Sequence, residues 1–248
     1  MDVLIDPELL DAGLPAPARG AFTTRAGGTS LAPYAGLDLA LHVGDDPARV
    51  SAHRAALARA VGLEPVALVF AEQVHGRGVA VVDAPVQGPV AGVDALVTAH
   101  RGLGLVVLAA DCLPVLLADP VAGVVAAAHA GRQGLVDGVL QAVLAAMASL
   151  GADPVRTVAV LGPAACGRCY EVPAAMAEAV EAVVPGSRGA TAQGTASVDL
   201  AAGARALLAD AGLTQVSRVG GCTIEQPQLY SYRRDGRTGR QGALVVLR

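Results

Sequence analysis

Between residues 103 and 130 the chain carries three apolar runs, 103–110, 114–119 and 123–130, and polar residues barely alternate through them. A strand with one face in water alternates apolar and polar residues, because successive side chains point to opposite faces. Runs without that alternation predict strands covered on both faces, lying in the interior of a layered structure. The same chain predicts helices over 47–62, 135–150, 173–184 and 199–211. Asp46 can cap the first, with Pro47 at its start and Gly62 at its end; Gly151 closes the second, and Asp199 caps the last. Shorter strands are expected at 66–70, 79–83, 94–98, 155–161, 216–219 and 243–247. Buried strands with helices to cover them predict one layered α/β domain over residues 1–248.

So apolar a chain, 53% hydrophobic with a mean hydropathy of +0.51, must first be tested for a membrane span. A helical span needs about 18 or more consecutive apolar residues. The best candidate, 103–118, is broken by Asp111 and Pro114 and is followed at once by Asp119 and Pro120. The excess is mostly alanine, and the N-terminus lacks a basic region followed by an apolar run, so a cytoplasmic protein with no membrane partner is expected. The net charge of −4 leaves no electrostatic footprint for nucleic acid. All 18 basic residues are arginine. Arg233, Arg234, Arg237 and Arg240 cluster near the C-terminus, as either a solvated loop or an anion site, since guanidinium forks suit phosphate.

The interior run is interrupted in its middle by Asp111 and Cys112, in "LAADCLPVLL". The segment "DPVAG" after it is a turn signal. A hairpin about Val121 pairs residues whose numbers sum to 241 or 242, which puts Cys112 opposite His129 or Ala130. Facing Cβ atoms lie about 4.5–5.5 Å apart. Zinc sits about 2.3 Å from sulfur and about 2.0–2.1 Å from nitrogen, so one ion can join a cysteine and a histidine so placed. His75, in the turn "EQVHG", offers a third ligand and leaves a fourth position open, the arrangement of a catalytic zinc. Two other readings use the same residues. Cys112 is a nucleophile with a histidine as base and Asp111 as orienter, or Cys112 is merely a small buried side chain.

The four cysteines, at 112, 166, 169 and 222, are too scattered for a disulfide framework in a cytoplasmic chain. Cys166 and Cys169 have C-x-x-C spacing, which raises structural zinc and redox chemistry. A zinc site needs a second ligand pair, and the remaining cysteines are single.

Eight motifs occur in order: "FTTRAGGTS" (22–30), "HVGDDP" (42–47), "EQVHG" (72–76), "DALVT" (94–98), "ADCLPVLLAD" (110–119), "AAHAG" (127–131), "GPAACGRCYEV" (162–172) and "YSYRRDGRTGR" (230–240). Together they resemble the YfiH family, also called the laccase-domain or multicopper polyphenol oxidase-like family, over nearly the whole chain. The resemblance implies a layered α/β/β/α sandwich with mixed sheets. It implies zinc bound by His75, Cys112 and His129. It also implies a purine nucleoside phosphorylase that cleaves adenosine, inosine, guanosine or methylthioadenosine with phosphate, with adenosine deamination beside it. Two other labels attach to the family: copper-dependent polyphenol oxidation, and hydrolytic editing of a peptidoglycan nucleotide-sugar precursor. Five scattered histidines cannot furnish the several centres of a multicopper oxidase, though one copper could occupy the same cysteine and two histidines.

For phosphorolysis, Arg25 in "TTRAGG" is expected to hold phosphate, its glycines letting backbone amides approach an anion. Arg132 and Arg233 are further candidates for binding substrate. For deamination, Glu171 of "CYEV" and Asp111 are candidates to move the proton, with Asp111 alternatively orienting a histidine ligand. The chain departs from the family after the second histidine, reading "HAGRQG" where "HAGWRG" is usual. Arg132 therefore stands at the tryptophan position and Gln133 at the arginine position. Decay to a metal-binding protein without catalysis is the third outcome this departure leaves open.

Overall fold

The three apolar runs are strands, and both faces of each are covered. In the computed structural model, which describes residues 5–248, the elements in chain order are as follows. β1 (Leu9–Asp11), β2 (Ala18–Thr23) and α1 (Pro47–Ala60) come first, then a 3-10 turn at Pro65–Ala67 that leads into β3 (Leu68–Phe70). β4 (Val79–Val81), β5 (Ala95–Thr98), β6 (Gly104–Ala109), β7 (Leu113–Asp119) and β8 (Val124–Ala130) follow. Next are α2 (Arg132–Asp137), α3 (Val139–Ser149), β9 (Val158–Leu161), α4 (Ala174–Glu181), β10 (Arg188–Ala190) and β11 (Ala196–Val198). The chain closes with α5 (Leu200–Asp210), β12 (Gln215–Arg218), α6 (Tyr232–Asp235) and β13 (Gln241–Leu247).

Two mixed sheets stack. One has the order β1-β2-β13-β6-β3 and the other β12-β9-β7-β8-β5-β4, with β10 and β11 as a separate ribbon. Alternation along the strands sorts the side chains into three cores. On β7, Leu113, Val115 and Leu117 meet α3, α4 and α5, whereas Leu116 and Ala118 face the other sheet. On β6, Leu105 and Val107 face inward between the sheets, while Val106 and Leu108 pack with Leu57 and Ala58 of α1. The result is an α/β/β/α sandwich, which is why the runs show no polar alternation.

Several details differ from the sequence reading. β7 and β8 pair with Leu113 opposite Ala130 and Pro114 opposite His129, so partner numbers sum to 243 rather than 241 or 242. The cause is a four-residue turn over 120–123: the Asp119 carboxylate accepts from the amides of Val121 and Ala122, and Gly123 takes φ +65°. Cys112 and His129 are therefore diagonal neighbours rather than directly opposed. The helix expected at 135–150 begins earlier, at Arg132, and breaks at Gly138, whose φ of +89° lies in the left-handed region. The strand expected from residue 66 starts as the 3-10 turn, and that expected from 155 starts at Val158. Among the described residues, no helix is long and apolar enough to cross a membrane.

Candidate metal centre

The chain passes between the two sheets four times, and two of those corners, after β3 and after β6, carry a candidate ligand. After β3 it leaves the five-stranded sheet, turns at His75 and enters the six-stranded sheet as β4. After β6 it crosses again through Asp111 and Cys112 into β7. Among the described residues, His75 (φ 60°) and Asp111 (φ 95°) are the non-glycine residues with positive φ. Conformations of that kind cost of order 1–3 kcal/mol each and gather at functional sites. His129 comes from the end of β8, beside the second corner.

The ligand atoms of His75, Cys112 and His129 lie within 4.8 Å of one another. The two imidazoles meet edge to face, with ring centres 4.9 Å apart. Gly131 leaves the room they converge in. A Cβ there would stand 3.2 Å from Cys112 Sγ, 3.3 Å from His75 Cδ2 and 3.5 Å from His129 Cε1. His129 is buried, Cys112 half-buried and His75 exposed, so the cluster opens on the side of the first corner.

One carboxylate that the sequence reading had treated only as the head of a strand organises the cluster. Asp94 is fully buried. Its Oδ1 accepts from His129 Nδ1 at 2.8 Å and from the His75 amide at 3.0 Å. Its Oδ2 accepts from the amides of Gly76 at 2.8 Å and Val74 at 3.2 Å. With Nδ1 taken, His129 has Nε2 left to ligate, and the turn that presents His75 is pinned to the same side chain. Burial works against the charge on Asp94, but His129 and the backbone amides outweigh it and hold the carboxyl below its ordinary range.

The thiol of Cys112 and the imidazole of His129 shift each other toward their charged forms. Burial opposes ionising Cys112, yet the charges and hydrogen bonds of His129 and His75 outweigh it and bring the thiol from 9.0 down to about 6. Burial likewise opposes charging His129, and Cys112 with Asp94 outweighs it, lifting the imidazole to about 9. A depressed thiol is a thiolate above that value. In chelator-treated protein, alkylation of Cys112 by iodoacetamide is thus expected to be half-maximal near pH 6 and to fade below it. Peptide mapping across a pH series reads the midpoint, and a value near 9 would contradict the pairing.

The cluster floors a cavity of about 370 Å³. Arg132, Arg233 and Arg240 line it, with Tyr170, Tyr232, His42 and Gln73. The guanidinium of Arg233 lies over the Tyr170 ring at 4.8 Å and donates to the Glu171 carbonyl at 3.1 Å. Arg234 and Arg237 of the same cluster have structural partners instead: Arg234 donates to the carbonyls of Thr223, Gln226 and Leu229, and Arg237 to the Tyr34 hydroxyl. Gln133 is exposed and bonds Asp137, whereas Arg132 faces the cavity.

Other residues named from sequence fall elsewhere. Arg25 does not line the cavity. It donates to the Ala35 carbonyl at 3.0 and 2.9 Å and packs over Tyr230. Its glycines serve close backbone contact rather than an anion: a Cβ on Gly27 would fall 1.7 Å from the Asp6 carbonyl oxygen, and one on Gly28 2.3 Å from Gly36. Glu171 is exposed and also outside the cavity lining. Asp111 does line it, but its oxygens accept from the Thr223 hydroxyl at 2.6 Å and the Arg233 amide at 2.7 Å, so the histidine-orienting part belongs to Asp94.

Comparison with known proteins gives the chain's family and fold. The profile of the family described as multi-copper polyphenol oxidoreductase laccase matches residues 19–248. A relative from Streptomyces griseus named purine nucleoside phosphorylase is 54% identical over 232 residues, covering 93% of this chain and 94% of its own. Among solved structures, YlmD from Geobacillus stearothermophilus superposes with a TM-score of 0.90 at 31% identity, covering 99% of both chains. YfiH of Bacillus licheniformis superposes at 0.86 with 28% identity, covering 93% of each.

Proposed function

The chain belongs to the multi-copper polyphenol oxidoreductase laccase family, and we propose that it is a zinc-dependent purine nucleoside phosphorylase with adenosine deaminase side activity. Its substrates are adenosine, inosine, guanosine or methylthioadenosine together with phosphate, and its products the free base and ribose 1-phosphate. The observation that carries this reading is the composition of one cavity: a thiol and two imidazoles on its floor, three guanidinium groups and two phenols around them. A cavity of about 370 Å³ lies within the usual range for small-molecule sites, roughly 300–1,000 Å³.

The donor set fits zinc. One thiolate and two imidazoles are borderline-soft ligands, their ligating atoms need to draw together by only about 1 Å, and three protein ligands leave one position for a reactant. Bound there, zinc supplies Lewis acidity toward an oxygen of phosphate or substrate. Arg132 and Arg233 neutralise phosphate and hold it, as guanidinium forks do. Tyr170 and Tyr232 offer faces for the purine. Of the two carboxylates considered for proton transfer, Asp111 borders the cavity, and the reading gives it that role in deamination. Histidine occurs in one candidate metal cluster among the described residues, which suits a single ion rather than the several centres of multicopper oxidation.

Adenosine incubated with phosphate is expected to yield adenine and ribose 1-phosphate in equal amounts, with no base released when phosphate is left out. Arg132→Ala and Arg233→Ala are each expected to raise the KM for phosphate about 10- to 100-fold. A charge-assisted hydrogen bond is worth about 1.5–3 kcal/mol, and each 1.4 kcal/mol is about tenfold. Release of base without phosphate would sink the reading.

One observation favours a second reading. Cys112, His129 and Asp94 stand in the order nucleophile, base and orienter. A cysteine hydrolase acting on a peptidoglycan nucleotide-sugar precursor would use them so. It would keep full turnover after metal removal and lose it on alkylation of Cys112.

A further inference from the structure

We propose that the chain carries a second metal site, in which Cys166, Cys169, Cys222 and Glu225 hold one zinc ion that ties together the two segments behind the cavity wall. The site shares no residue with the His75, Cys112 and His129 cluster.

The fold brings these four residues together although 56 positions separate Cys166 from Cys222. β9 and β12 pair in parallel, with Leu161 opposite Arg218, and the pairing continues past the strand ends to a bridge between Ala164 and Cys222. The C-x-x-C turn begins two residues beyond that bridge. It is closed by amides of Cys169 and Tyr170, each donating to the Cys166 carbonyl at 2.9 Å. Gly167 lets the turn lie against Asp199, where a Cβ would come within 2.8 Å of the Asp199 Cβ.

The ligating atoms of all four residues lie within 4.8 Å of one another. Three sulfurs around zinc at about 2.3 Å stand about 3.8 Å apart, so the observed cluster closes onto an ion by small side-chain rotations. The Cys166 amide donates to Cys222 Sγ at 3.4 Å, the kind of N–H···S contact that stabilises thiolate charge, and Cys169 Sγ contacts Glu225 Oε1 at 3.4 Å. Cys222 is buried, and Cys166 and Cys169 are half-buried and free of any disulfide. Three thiolates with one carboxylate select zinc or a similarly soft ion over magnesium or calcium. The second ligand pair that the C-x-x-C spacing lacked in sequence is Cys222 with Glu225.

The position gives the ion a structural part. Ala165 and Tyr170, on either side of the C-x-x-C turn, line the cavity. Thr223, next to Cys222, donates its hydroxyl to Asp111, and Arg234 donates to the Thr223 carbonyl. An ion at this point locks the segment carrying Tyr170 to the segment that steadies Asp111.

The test is metal stoichiometry on the full chain, purified with reductant and without chelator and then equilibrated with zinc under competition from a weak chromophoric chelator. Two zinc ions per chain are expected. The C166S/C169S variant is expected to keep one, and Cys112→Ala to lose the other while keeping this one. Reconstitution with cobalt(II) gives a second readout: near-ultraviolet thiolate-to-cobalt absorption should fall far more in C166S/C169S than in Cys112→Ala. Glu225→Gln leaves every thiol in place and guards against a folding defect; it is expected to weaken this ion at least about tenfold. A single zinc per chain in the wild type that Cys112→Ala removes, undiminished metal in C166S/C169S, or a Cys166–Cys169 disulfide in the reductant-purified protein would each overturn the proposal.

Discussion

Replacing Cys112 by alanine is expected to strip the cavity of its metal and to lower kcat/KM for adenosine phosphorolysis by roughly a thousandfold. Cys112 is the sole thiolate in the cluster, and His129 owes much of its raised affinity for a proton to that charge. Two imidazoles alone, one of them exposed, are a weak pair of ligands. Lewis-acid catalysis is worth several kcal/mol, and at about 1.4 kcal/mol per decade its loss reaches that magnitude. Metal analysis and product assay on the same preparation separate the two readings of the site. Loss of the cavity's equivalent of metal together with product supports the zinc phosphorylase. Metal content undiminished from the wild type with lost turnover transfers the chemistry to the Cys112 nucleophile.

Asp94→Asn is expected to cost about 10- to 100-fold in metal affinity and in turnover, and at least about 2 kcal/mol of stability. Every partner of this carboxylate is a donor: the ring of His129 and the amides of Val74, His75 and Gly76. An asparagine has one accepting oxygen, so its NH2 must face donors whichever way the amide turns. Buried donors left without acceptors cost about 1–3 kcal/mol each, and losing the partner of a ligating histidine typically costs the stated affinity. Zinc titration and thermal unfolding of the variant measure the two effects. A variant with unchanged zinc affinity would remove Asp94 from the site.

Much of the fold was legible because burial on two faces leaves a plain mark. The runs that became β6, β7 and β8 were broken too often for a span and read as interior strands, and α1 announced itself through Asp46 and Pro47. β1 and β2 left no such mark: β1 is three residues long, and Ala18–Thr23 contains Arg19 and Gly20, with Phe22 as its one large apolar side chain. Histidine and cysteine chemistry pointed to His75, Cys112 and His129 before any geometry was available. The hairpin register missed by one to two residues, because the length of the turn depends on how Asp119 caps it. Asp94 was overlooked since an acid heading a short strand looks like a strand end. Arg25 misled because paired glycines serve a close backbone crossing as readily as an anion. Glu225 and Cys222 could be joined to Cys166 only through the parallel pairing of β9 with β12, a relation between distant segments that local pattern does not encode.

Two of the three groups on the cavity floor are delivered at corners where the backbone changes sheets, and the third at the tip of an interior strand. Their mutual spacing is therefore inherited from how the two slabs of the sandwich lie over each other, while the rim that would meet a reactant is built from separate surface segments. Such a division lets the rim drift while the floor groups keep their spacing. Arg132 stands on that rim and Gln133 turns away from it to Asp137, so neither side chain takes part in setting the spacing of the floor groups.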